Sequence, residues 1–170
     1  MAILSFHEII RKHCDFLLST IEYKIKFIKS EDIPSEDGVA YIYSNKTTIY
    51  IRKSRFDYLI ALMPTGEPEF TQLSVLWVLK ALSVDIATPE STELDINTFE
   101  GYVVFYTQLL REHCQKFITG DFSDWLRVLE FFIDETRIKY RQRTGKQLPK
   151  RIHDELEKYI AAKKLQQRYP

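Results

Sequence analysis

The chain has 170 residues, of which 45% are hydrophobic, 14% aromatic and 28% charged, and these proportions are those of one globular domain with its own core. They exclude a disordered or fibrous chain, and no run of about 20 apolar residues is present from which a membrane-spanning helix could form. Net charge is zero but unevenly spread: residues 1–136 hold 13 Lys/Arg against 21 Asp/Glu, a balance of −8, and residues 137–170 hold 11 against 3, a balance of +8.

Ser5 and Glu8 have capping-box spacing, and Phe6, Ile9, Ile10, His13, Phe16 and Leu17 follow at helical intervals, which predicts a helix over 6–19. Ile21, Tyr23, Ile25 and Phe27 then alternate with Glu22, Lys24 and Lys26, the period of a half-buried strand. An acidic loop over 30–38 leads to a stretch rich in β-branched and aromatic residues. It is divided at Ser44-Asn45-Lys46 and at Ser54-Arg55, and so predicts antiparallel strands over 39–43, 47–53 and 56–63. Tyr41, Tyr43, Ile49 and Ile51 are assigned to one or other face of this meander. Pro64 to Pro68 end the sheet, since two prolines remove backbone donors.

The period then becomes helical. Thr71 is placed as the cap of a core helix carrying Leu73, Leu76, Trp77, Leu79 and Leu82. Asn97 or Thr98 caps a longer helix running through Leu110 and His113 to Phe117, with Gly120 ending it in a left-handed conformation. Ser123 begins another, with Trp125, Val128, Leu129, Phe132 and Ile133 on its apolar face and Gly145 as its stop. A last amphipathic helix is expected from about Pro149, with Ile152, Leu156, Tyr159 and Ile160 along one face. The expected fold is therefore α+β: an N-terminal helix, a short antiparallel sheet of three to four strands, then four helices, the last basic and amphipathic. Residues 1–146 form one domain in this reading, and 147–170 form a helix docked on that domain or on a second chain.

The hairpin Tyr41-Ile-Tyr-Ser-Asn-Lys-Thr-Thr-Ile-Tyr-Ile-Arg, the strand Phe56-Asp-Tyr-Leu-Ile-Ala-Leu, the core helix after Phe70 and the run Leu109-Leu-Arg-Glu-His-Cys-Gln-Lys-Phe-Ile-Thr-Gly-Asp together resemble a diffuse group of small uncharacterised bacterial proteins. Some members of that group are found near toxin systems and are treated as immunity-like. The resemblance covers about residues 40–120 and is structural, a short sheet followed by helices ending in Gly-Asp, and it carries no functional residue across.

Two His-Cys dipeptides, His13-Cys14 and His113-Cys114, hold the atoms of a zinc site, but adjacent helical residues point about 100° apart and chelate poorly. No metal is expected there. Both cysteines read as reduced core thiols, mid-helix or later and away from the helix N-termini that activate a nucleophile. Carboxylate pairs such as Glu31/Asp32 and Asp134/Glu135 lie in charged stretches, and the five glycines are too scattered for a phosphate loop. No catalytic residue and no cofactor is expected.

What rises above this background is a basic run: Arg137, Lys139, Arg141, Arg143, Lys146, Lys150 and Arg151, seven cations in fifteen residues. Such a run either contacts an acidic partner or nucleic acid, or complements the acidic body of its own or a second chain. The leading expectation is a cytoplasmic, non-enzymatic protein-interaction module, immunity-like or regulatory, of unknown partner and self-associating as a homodimer. Nucleic-acid binding through the basic region is the alternative, and an enzyme with an unrecognised site the second.

Overall fold

A computed structural model describes residues 4–19, 22–28, 37–55, 57–86, 94–149 and 153–168. Ser5 caps the first helix, α1 (Phe6–His13), through the expected capping box: its hydroxyl accepts from Glu8 N–H, and the Glu8 carboxylate accepts from Ser5 N–H at 2.7 Å. A single turn, α2 (Asp15–Leu18), follows. The sheet then runs β1 (Lys24–Ile28), β2 (Gly38–Tyr43), β3 (Thr47–Lys53) and β4 (Tyr58–Pro64), each antiparallel to the last. Beyond a 3₁₀ turn (Glu69–Thr71), β5 (Leu73–Ser74) returns to pair with β4, so the order in the sheet is β1-β2-β3-β4-β5. The helices that follow are α3 (Val75–Ala81), α4 (Phe99–His113), α5 (Gln115–Ile118), α6 (Trp125–Thr144) and α7 (Asp154–Arg168).

The α+β reading holds, with five strands in place of three to four and seven α-helices among the described residues in place of five. Three differences have local causes. The fifth strand arises because Leu73 and Ser74 pair with Leu62 and Ala61, so Ser74 rather than Thr71 becomes the N-cap residue of α3. The first and fourth helices each break at a cysteine, where the chain turns a buried residue inward and starts a new turn. The last helix begins at Asp154, and Lys150, Arg151 and Ile152 lie outside the described residues. Thr98 accepts from Gly101 N–H and caps α4, while Gly145 ends α6 at φ +68, a left-handed cap that glycine adopts without a Cβ clash. No helix among the described residues is long and apolar enough to cross a membrane.

Alternation sorts the sheet into two faces. Ile25, Ile42, Ile49, Leu62 and Leu73 lie in register across all five strands, and Phe27, Ala40, Ile51 and Ile60 form the next row. Ile42, Ile49, Ile51 and Ile60 are fully buried beneath the helices. Tyr41, Tyr43 and Tyr50 therefore point the other way. The core continues through Val75, Val78 and Leu79 of α3, Val103 and Leu110 of α4, Phe117, and Trp125, Val128 and Leu129 of α6. Two polar ties lock sheet to helices: Tyr23 Oη donates to Ile118 O at 2.6 Å, and Thr47 Oγ1 to Phe117 O at 2.5 Å.

Ile51→Asp places a carboxylate in this core and is expected to cost about 3–5 kcal/mol, read as a fall in the urea midpoint. Gly101→Ala is expected to cost about 2 kcal/mol on the same measurement, because a Cβ there would sit 2.1 Å from the Asp95 carbonyl oxygen.

Candidate functional site

The basic run lies at one end of a helical hairpin. The first half of α6 buries Trp125, Val128, Leu129 and Ile133, and no residue of the helix beyond Ile133 is buried. After Gly145 the chain doubles back, and α7 buries Leu156 and Ile160 against the body. The ion pairs fix its direction: Arg137 with Glu157 and Lys164 with Glu130, so rising numbers on α7 meet falling numbers on α6. Lys163 adds a pair to Glu67 at 2.7 Å, and Phe70 packs edge-on to Tyr159 at 6.0 Å. The distal half of α6 and the return segment 145–149 project as the tip.

The predicted cations divide into two groups. Arg137 is engaged by Glu157 and by Asp134 at 3.8 Å, and Lys139 sits 4.5 Å from the Trp77 ring centroid as a cation–π pair. Arg141, Arg143 and Lys146 are exposed and meet no carboxylate among the described residues. Lys150 and Arg151 lie outside the described residues. From 137 to 149 there is no Asp or Glu, so the tip carries uncompensated positive charge.

Sequence reasoning missed that this charge borders a cavity. A space of about 340 Å³ is lined by Arg137 and Arg141, by the apolar side chains of Ile138, Leu148 and Pro149, and by Gln147 and His153. Ile138 is 49% exposed, unusual for a large aliphatic residue. His153 has its ring 5.6 Å from that of Phe132, and its Nε2 is buried with no hydrogen-bond partner. Desolvation, with Arg137 nearby, holds its pKa below the ordinary histidine value and favours the neutral ring. The sequence signal there is the cluster Gln147-Leu148-Pro149 after a helix stop, which falls within the docked C-terminal helix expected over 147–170.

The two His-Cys dipeptides occupy equivalent places. Cys14 N–H donates to Ile10 O at 2.9 Å and Cys114 N–H to Leu110 O at 3.1 Å, each closing one helix and opening a one-turn helix. The cysteines are thus at helix junctions rather than mid-helix. His13 Nε2 lies 2.8 Å from Glu100 Oε1, which also accepts from Lys12, and these two partners lower the Glu100 pKa. His113 lies 3.7 Å from Glu112. Among the described residues no three His, Cys, Asp or Glu side chains gather as metal ligands would. Burial pushes both thiols up to about 12 from 9.0.

No family model, curated protein or solved structure matches this chain.

Neither thiol is expected to react with Ellman's reagent at pH 8 in the native protein, and both should react in denaturant. Because the thiols ionise later in the folded chain than in the unfolded one, their contribution to stability is whole below about pH 9 and is lost as pH rises towards 12. Urea midpoints across that window, compared with those of a Cys14→Ala/Cys114→Ala variant, check the loss.

Proposed function

We propose that the chain is a non-enzymatic protein-interaction module that receives an acidic segment of a partner protein at the tip of the α6–α7 hairpin. The observation that carries this is the cavity where Arg137 and Arg141 adjoin Ile138, Leu148 and Pro149. A surface that tracks a nucleic-acid backbone needs cations alone, whereas an interface core combines an apolar anchor with arginines that pair carboxylates. The role is immunity-like or regulatory, holding a partner in complex. Two reduced, buried thiols, Cys14 and Cys114, suit a reducing cytoplasm.

The nucleic-acid reading rests on the free cations Arg141, Arg143 and Lys146, and one experiment separates the two. A fluorescent peptide with a single leucine among glutamates is titrated with the full chain beside a random DNA duplex, at low and moderate salt. The peptide is expected to bind more tightly than the duplex. Arg141→Glu should weaken it about tenfold or more, and replacing the peptide leucine with serine should weaken it comparably. Tight duplex binding that falls steeply with salt, with no dependence on the leucine, makes nucleic acid the ligand instead.

A further inference from the structure

On the outer face of the sheet only Ala61 and Met63 of β4 are buried hydrophobic residues, and the strands β1 to β3 add none. Lys26, Tyr41, Tyr50, Ala61 and Ser74 lie in register across it, and Ile28, Val39, Arg52 and Leu59 form a parallel row. Tyr41 and Tyr50 pair with ring centroids 5.2 Å apart. Neither tyrosine, nor Val39 or Leu59, belongs to the core or packs against it, and all four keep part of their surface exposed. An antiparallel sheet tolerates one solvated face, but such faces ordinarily alternate to polar residues, and this one is centred on aromatic and aliphatic ones.

Its charges are laid out by side. Lys24 and Lys26 are exposed on β1, one edge of the sheet. Glu69 is exposed in the 3₁₀ turn that leads into β5, the opposite edge, and is near enough to help raise the pKa of both Tyr41 and Tyr50 behind the larger effect of desolvation. Arg52 is held by Asp57 at 2.9 Å. The face is therefore basic at one edge, acidic at the other and apolar between, a self-complementary arrangement.

We infer that this face binds a second copy of the chain, sheet to sheet, about a two-fold axis that runs between the sheets and along their strands. Two identical faces can meet only about an axis lying in the plane between them. With the axis along the strands, β1 of one copy lies over the β4–β5 side of the other, so Lys26 meets the partner copy's acidic edge twice over while the tyrosine pairs meet at the centre. With the axis across the strands, β1 would lie on β1 and set lysine against lysine. Face-to-face sheets pack about 10 Å apart, a gap that interdigitated tyrosines fill. Set against Lys24, Lys26 and Arg52, Glu69 and Asp57 leave this face a single net positive charge, too little to track a phosphate backbone, which disfavours single-stranded nucleic acid as the occupant despite the stacking surface.

Sedimentation velocity on the full chain over the micromolar range tests this. A monomer–dimer equilibrium is expected. Lys26→Glu and Glu69→Lys, both at exposed positions, should each weaken it about fivefold or more, and the double variant should recover to within about twofold of the parent, since the swapped charges again oppose one another. Tyr50→Arg should weaken it further while thermal melting stays near that of the parent. A chain that is monomeric throughout overturns the inference. So does a dimer indifferent to Tyr50→Arg, or a double variant as weak as the two single changes combined. Binding of a single-stranded oligonucleotide to the monomer, lost in Tyr50→Arg, would likewise overturn it in favour of that ligand. Arg141→Glu at the hairpin tip should leave the dimer unchanged, which keeps this result separate from the peptide experiment.

Discussion

The register of the meander is the constraint on which the rest of the structure depends. Ile42 opposite Ile49 and Ile49 opposite Leu62 place one continuous aliphatic row under the helices. A slip of one residue would invert every side chain, putting Tyr41 and Tyr50 into the core and Ile49 and Ile51 into water. The cost of exposing that row is what makes the register unique, with each fully buried isoleucine contributing on the order of 2 kcal/mol. The same choice leaves the tyrosines outside. The open face is thus a consequence of how the core is filled.

Helices close the inner face in two ways. Behind the core, α1 and α4 lie side by side and are tied at their polar edge by Lys12 and His13 to Glu100 and by Arg111 over the Phe16 ring at 4.6 Å. These contacts are exposed or half-exposed and contribute modestly, so apolar burial rather than charge holds the layer. The α6–α7 hairpin is held at its base by Leu156 and Ile160 and at its flank by Arg137, Lys163 and Lys164. Beyond Ile133 no residue of α6 is buried, Ile138 included, and the helix continues solvated into the tip. Charge segregation follows from this geometry. Lys163 and Lys164 of α7 are taken up by Glu67 and Glu130 of the acidic body, while Arg141, Arg143 and Lys146 on the distal half of α6 and the tip meet no carboxylate among the described residues.

The matched breaks at Cys14 and Cys114 show how a buried side chain overrides helical periodicity. In each the residue before the break is a histidine facing partly to solvent, and the cysteine turns inward, 1% and 0% exposed. A thiol is small and weakly polar, so it can be buried at a junction where an unsatisfied polar group would be costly. Both dipeptides serve packing, and the histidines find carboxylates on neighbouring surface rather than each other's cysteines.

Sequence alone determined the elements whose signals are local. The strand over 47–53, the capping box at Ser5, the Thr98 cap and the Gly145 stop are each specified by residues within a few positions of one another, through strand alternation, hydroxyl capping and the freedom of glycine. It also located the basic run, because charge is a property of composition. Tertiary structure alone decided which sheet face is buried, where the long helices break, that Leu73 and Ser74 become a strand, and which cations are spent internally. Those outcomes turn on partners far apart in the chain, as in Tyr23 with Ile118 and Thr47 with Phe117, and Lys139 with Trp77. Periodicity marks a residue as apolar or charged, but only the packed neighbours establish what it touches, and so the cavity between Arg137, Ile138 and Arg141 had no linear signature.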